Sequence, residues 1–411
     1  MSQLSTKGYS STGQRAVPDP IADVFYRTAI AGAAYTLRTR QSFISMAAGS
    51  PDPDLLPITL YQRLLVEALT TSGGSVLNYT SPRGTPSLAD AFELHLRRQG
   101  VVCTRDTLLV TSGGMEALSL AAWMVLDPGD TVVTEGPGFA GALSAFKLYG
   151  ANVVQLPCGE GGVLPTMLDE AIKRYRPKLV SLMPDYQNPT GALMPVSHRK
   201  QIVDCLKLHG VYALEDGAYS HLCLDGRGPL APLQSFAPDL VFYATSVSKL
   251  LAPAMRIGGL VTPRAFTEKA AAIKSTFNMQ ASAIHQEVTA CFLDEHRDHM
   301  ASQLKVLQNT YRARRDAIVS ALDAHFSRDN GFSWNVPCGG MFLWLEGPSS
   351  LNFSELFEKA LNNGVAYIPG SKFYLPGPEQ RHNAARLNFA SISEQSIWEG
   401  IRRLAATVAS D

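Results

Sequence analysis

The chain has 411 residues, 45% hydrophobic and 18% charged, and its 36 Lys plus Arg balance 36 Asp plus Glu. That length predicts two or three folding units with enough core to fold without disulfides or structural metal. Zero net charge leaves no basic field for a phosphate backbone or an anionic bilayer, so neither nucleic acid nor membrane is expected as a principal partner.

Residues 1–20 are rich in Ser, Thr, Gly and Pro and read as a flexible arm. The arm has no apolar core, and no later run approaches the roughly 18 apolar residues that span a bilayer, which points to an intracellular, cytoplasmic protein. From Thr59 to about Arg98 the spacing is helical, interrupted by a turn-rich stretch from Asn78 to Pro86. Short β-branched runs follow: DTLLVTSG, DTVVTEGPG, ANVVQLPCG, PKLVSLMPD, VYALEDGAY, DLVFYATSVS and GGLVTP. Between them lie MEALSLAAWMVL, AGALSAFKLYG, LPTMLDEAIKRY and VSHRKQIVDCLKLHG, with apolar residues three and four apart. This alternation predicts an α/β fold with a mostly parallel sheet flanked by helices.

From Pro263 long helical patterns run to about Ala324, then WNVPCGGMFLWLEG reads as an edge strand pair, and helix resumes. The expected division is a large domain over 61–299 and a smaller α+β domain built from 21–60 and 300–411. Cys103, Cys158, Cys205, Cys223, Cys291 and Cys338 form no CxxC pair, and His296 and His299 have no third ligand near them. No disulfide framework and no metal are expected.

In open α/β sheets ligands lie beyond the carboxyl ends of the strands, so the polar residues that close each run are the candidates. The run DLVFYATSVS leads into Ser246, Ser248, Lys249 and Arg256. A lone lysine there is usually a solvated surface group, but two hydroxyls and an arginine around it suit a dianionic phosphate beside a reactive amine. Asp216 ends the run VYAL-Glu-Asp, with Tyr219 three positions on; next to such a lysine its carboxylate is a candidate partner for a protonated pyridine nitrogen. Asn188, in PDYQNPTG, follows the run KLVSLM and reads locally as a turn. Ser112, Gly113, Gly114 and Met115 join a strand to a helix, where free N–H groups favour an anion.

Together these segments resemble the fold-type I pyridoxal 5′-phosphate (PLP) enzymes of aminotransferase class I/II, in particular the kynurenine/α-aminoadipate-like and MocR-like branch. The likeness runs from AAGSPDPDLLP at residue 47 to RLNFA at residue 386. It implies an aspartate aminotransferase-like fold, PLP as cofactor, and transfer of an amino group from an L-amino acid to a 2-oxo acid. By the resemblance Lys249 is the Schiff-base lysine, Asp216 the partner of the pyridine N–H, and Asn188 and Tyr219 the partners of the 3′-oxygen. Lys249, Asp216 and Tyr219 are the implied catalytic set. Ser246, Ser248, Arg256 and the turn Ser112 to Met115 would surround the phosphate. Phe139, in GPGFAGAL, would stack on the ring, and Arg386 would grip the substrate α-carboxylate with Gly49 and Asn188 beside it. Tyr79, in NYTSPRG, resembles the tyrosine that reaches the neighbouring subunit's phosphate, which implies a homodimer.

The chain departs from the family pattern at three places. Gly114 and Met115 offer the phosphate only backbone, Phe139 lacks the tyrosine hydroxyl common there, and Gly217-Ala218 is expected to open space on the cofactor's 3′-oxygen side. Relatives on this scaffold also eliminate, replace, decarboxylate or react with oxygen, and these remain alternative reactions. A regulator's ligand-sensing domain is a remote alternative. Arg83, Arg27, Tyr26 and the loop from Val365 to Tyr374 are further candidates for specificity, while a surface role suits Arg83 at least as well. The run Cys338 to Trp344 reads as core packing.

Overall fold

The computed structural model describes residues 10–16, 20–294 and 297–410. All seven β-branched runs form strands of one sheet, ordered in space Leu108–Thr111, Gly258–Val261, Val241–Ser246, Tyr212–Asp216, Leu179–Leu182, Thr131–Gly136, Asn152–Gly159 and Gly162–Val163. From Val241–Ser246 to Asn152–Gly159 every neighbouring pair is parallel, whereas Gly258–Val261 runs antiparallel to both of its neighbours. Gly162–Val163, too short to be read from sequence, closes a hairpin on Asn152–Gly159.

The inner strands are buried along nearly their whole length because both faces are covered. Val133, Val180 and Ala213 pack with Leu168, Ile172, Ile202 and Leu206 from helices Pro165–Tyr175 and Val196–His209. The alternating residues Val132, Leu179 and Leu214 pack on the opposite face with Leu118, Ala121 and Phe146 from helices Gly114–Val125 and Ala140–Leu148. The period-two alternation of a strand thus feeds two separate cores.

A second, four-stranded antiparallel sheet has the order Ser333–Trp334, Phe342–Glu346, Ala384–Asn388, Ile368–Pro369. Phe342–Glu346 is therefore an inner strand, and the edges are its partner Ser333–Trp334 and Ile368–Pro369. Ile44–Ser45 pairs in parallel with Val365–Ala366, which ties the two ends of the chain together. Helices His299–His325 and Glu394–Ala409 pack on each other, as do Pro20–Thr39 and Phe353–Asn362.

Within the expected arm, Ser11–Arg15 forms a short helix, capped by Ser10, and Arg15 donates to the Leu148 carbonyl at 3.2 Å. Residues 1–9 and 17–19 of that arm, and His296, lie outside the described residues. Among the described residues no helix is long and apolar enough to cross a membrane. Because the central strands are parallel, the turns after Gly136, Leu182, Asp216 and Ser246 all open at one edge of the large sheet.

Candidate active site

Lys249 follows strand Val241–Ser246, and its Nζ donates to the Gly49 carbonyl at 2.7 Å. Gly49 lies between the amine and the arginine expected to bind substrate, since a Cβ there would sit 3.9 Å from Arg386 Nη2 and 3.8 Å from Phe342 Cζ. Arg386, on strand Ala384–Asn388, is buried; its Nη1 donates to Asn188 Oδ1 at 3.0 Å and its Nη2 to the Ala47 carbonyl at 2.7 Å. Its guanidinium lies 4.2 Å from the centre of the Phe342 ring and 5.1 Å from that of Phe373. Its Nε is buried with no hydrogen-bond partner. The Asn188 side chain also bonds the Tyr219 hydroxyl. Lys249, Gly49, Arg386, Asn188 and Tyr219 therefore form one connected group, drawn from residues far apart in the chain.

Asp216 ends the strand next to that of Lys249, and its Oδ1 accepts the Ala218 N–H at 3.0 Å. The phosphate-suited residues converge beside it. Ser246 Oγ donates to Ser248 Oγ at 2.9 Å. Gly113 has φ +94°, and a Cβ on it would lie 2.5 Å from Arg256 Nη2, so glycine alone lets the guanidinium close on this turn. Helix Gly114–Val125 starts there without a side-chain cap, leaving its first N–H groups free for an anion. Ser112 differs: its hydroxyl accepts from Asn278 Nδ2 at 3.2 Å, on the side of the turn that faces Lys274 and Glu116. Phe139 and Met115 both crowd Gly141, where a Cβ would lie 2.7 Å from Phe139 Cζ and 3.0 Å from Met115 Sδ.

Burial, with Arg386 and Arg256 adding to it, lowers the Lys249 amine to about 8, while Asp216 opposes the shift. Burial raises the Asp216 carboxyl to about 6 against the Ala218 N–H and Lys249. Arg386 comes down to about 10 through burial, and burial pushes the Tyr219 hydroxyl upward. Three cationic side chains thus face one carboxylate, an excess suited to a ligand that brings a phosphate and a carboxylate of its own.

The residues fit PLP. The Gly113 cradle, the serine pair and Arg256 suit its phosphate, Asp216 a protonated ring nitrogen, and the unpartnered Arg386 Nε a carboxylate.

Other candidates stand apart within the chain. Tyr79 is 77% exposed. Arg83 pairs with Glu268 at 2.6 Å and donates to the Asp106 carbonyl. Arg27 pairs with Glu358 and Asp23, and Tyr26 is exposed. Gly217 does not open space: a Cβ there would collide with the Tyr243 ring, which fills the gap from the next strand.

The structure also supplies residues that motif reading passed over. Asn388 donates to the carbonyls of Ala48 and Ser50, and Arg314 pairs with Asp52 at 2.6 Å, so the segment carrying Gly49 is pinned at both ends. Glu135 is buried under the Asn188 loop, where Oε2 accepts from Met183 N at 3.2 Å and Gln187 Nε2 at 3.4 Å while Oε1 has no partner. The RLNFA motif contained the signal for Asn388; Glu135 was hidden inside an apolar strand.

Comparison with known proteins agrees with this geometry. Residues 43–404 match the family pattern described as Aminotransferase class I and II. A 2-aminoadipate transaminase of Thermus thermophilus is 31% identical over 372 residues, covering 90% of this chain and 90% of the relative. Aromatic-amino-acid aminotransferase 1 of Thermococcus litoralis is 30% identical, covering 89% and 88%. The structure of an α-aminoadipate aminotransferase from Thermus thermophilus, solved with N-(5′-phosphopyridoxyl)-L-leucine, superposes with a TM-score of 0.87 at 28% identity over 98% of both chains. The chain belongs to the class I and II aminotransferases, with their fold-type I architecture, and is a PLP-dependent transferase of amino groups.

Proposed function

We propose that the pocket around Lys249 and Arg386 is where this chain moves an amino group from an L-amino acid to a 2-oxo acid, each residue acting as follows. The observation that carries the reading is the buried, unpartnered Arg386 Nε in the same connected group as a lysine whose amine is lowered to about 8. A guanidinium with a free donor in a dry site is matched to a carboxylate. Holding the substrate by its α-carboxylate fixes which bond at Cα faces Lys249. Lys249, whose amine comes down to about 8, would take the Cα proton on Nζ and hold it there for return.

When bound, PLP supplies an electron-withdrawing ring that accepts the electron pair released at Cα. Asp216 would sit beside the ring nitrogen and keep a proton on it, Asn188 and Tyr219 would hydrogen-bond the 3′-oxygen, Ser246, Ser248, Arg256 and the Gly113 to Met115 backbone would hold the phosphate, and Phe139 would cover the ring. Tyr243 packs against Gly217, so no extra space opens at that position.

The reading extends to a homodimer. Leu77, Tyr79, Phe277 and Met279 remain exposed on segments joined by the Thr80 to Gln280 hydrogen bond, an apolar surface suited to a second copy, with Tyr79 reaching that copy's phosphate site. Six cysteines, all free, suit the reducing cytoplasm.

The test is a visible spectrum of the purified enzyme as amino acids are added one at a time. A true donor converts the yellow cofactor to its colourless amine form, and a 2-oxo acid restores the colour. Turnover that consumes oxygen or releases a side-chain fragment, without that reversible change, would overturn amino transfer. Arg386→Ala should raise the apparent KM for every donor on the order of 100-fold; an unchanged KM would place the carboxylate site elsewhere.

A further inference from the structure

Away from the pocket, on the outer helices of the large sheet, three metal-competent side chains converge. Cys205 and His209 stand four residues apart on helix Val196–His209, hence on one face, and Asp169 faces them from helix Pro165–Tyr175. Their ligand atoms all lie within 4.8 Å of one another. His209 Nε2 is 2.8 Å from Asp169 Oδ1, and Cys205 Sγ is 3.7 Å from that same oxygen. Lys173 bonds the other oxygen, Oδ2, and so fixes the carboxylate without occupying the point where the three groups meet.

We propose that Asp169, Cys205 and His209 form a binding site for a thiophilic divalent cation of the zinc type. Thiolate, imidazole and carboxylate are the donor set zinc prefers, and in a tetrahedral site with bonds of about 2.0–2.3 Å the donor atoms stand about 3.3–3.6 Å apart. The sulfur-to-oxygen spacing of 3.7 Å has to close by about 0.1 Å, and the His209 to Asp169 spacing of 2.8 Å has to open by about half an ångström. The thiolate and the carboxylate, the latter shared with the exposed Lys173, offset the charge of the dication. The partial exposure of Asp169 and His209 leaves the fourth position to water.

Binding releases one proton: the Cys205 S–H bond breaks, its electron pair goes to the cation, and the proton leaves to solvent, while the proton that His209 Nε2 gives to Asp169 passes through solvent to Nδ1 of the neutral ring and frees the Nε2 lone pair. The bound ion would cross-link two helices that cover one face of the sheet, on the side that carries none of the residues assigned to amino transfer.

The test uses gel-filtered holoenzyme titrated with Zn2+, and with Co2+ read through its visible d–d absorption to the red of the cofactor's bands. Expected are one ion per chain, about one proton released per ion, and a rise in thermal midpoint with cation concentration. Cys205→Ser and His209→Ala should each weaken binding on the order of 100-fold. Both should retain the yellow cofactor band and wild-type amino transfer, which separates this site from the proposed catalytic one. Absence of stoichiometric binding in the wild type would overturn the proposal. So would affinity unchanged in both variants, because the ion would then lie on other residues.

Discussion

Lys249 shows how one residue's chemistry is set by its surroundings. An exposed lysine is cationic at neutral pH, but burial beside Arg386 and Arg256 brings this amine to about 8. Only the neutral amine is a nucleophile, so reloading of the cofactor-stripped protein with PLP should accelerate as pH rises through about 8 and then level off. A rate that stays flat between pH 7 and 9 would contradict that environment. Glu135 makes the opposite case, a carboxyl that burial, with Asp216 adding to it and hydrogen bonds from Met183 and Gln187 opposing it, raises from 4.5 to about 8. From pH 4.5 to 8 the folded protein then binds more protons than the unfolded chain, so stability falls as pH rises through that window. Glu135→Gln removes this slope. The variant should gain on wild type between pH 5 and pH 8 by of the order of 1 kcal/mol or more in denaturant unfolding. A difference that stays constant across the range would mean that Glu135 is ionised throughout.

At the scale of elements, the phosphate-suited turn depends on close approach between backbones. Gly113 must reach φ +94° with Arg256 Nη2 against it, and a Cβ on Gly258 would lie 2.8 Å from the Gly113 carbonyl carbon. Two strands and a helix start therefore meet without a side chain between them. Gly113→Ala should strain the turn by about 1–3 kcal/mol and displace Arg256. Its expected signature is PLP dissociation at least about tenfold faster by dialysis, with little change in secondary structure by circular dichroism. Dissociation at the wild-type rate would show that the turn does not hold the phosphate. The segment carrying Gly49 has a different device, with Asn388, Arg386 and Arg314 holding it along its length from Ala47 to Asp52. That arrangement couples the smaller sheet to the lysine on the larger one.

At the scale of the whole molecule, the question is where Tyr79 acts. Within one chain its side chain is exposed, whereas Lys249, Gly49, Arg386, Asn188 and Tyr219 form one connected group. If it completes a partner's site, two defective chains can repair each other. A Tyr79→Ala chain mixed with a Lys249→Ala chain forms hybrid dimers in which one site combines the intact lysine of the first with the intact tyrosine of the second. Activity should reappear on mixing and refolding the two, well above the sum of the separate variants. No recovery, with hybrid dimers verified by mass, would rule out the shared site.

The sequence by itself determined the order of strands and helices and the residues at the strand ends. β-Branched runs, apolar residues three and four apart, and glycines at turns act over a few residues, so their signal is local. It also carried the motifs around Asp216, Asn188, Lys249 and Arg386, because each is a short stretch with its own spacing. What it misjudged was the space at Gly217, filled by Tyr243 from a strand that lies beside it only after the sheet forms. It likewise could not show that Arg386 meets Asn188, or that Asp169 meets Cys205 and His209. Those pairings join residues up to 198 positions apart. They exist because parallel strands and their crossover helices bring distant segments to one edge or one face, and only the packed structure fixes which side chains meet there.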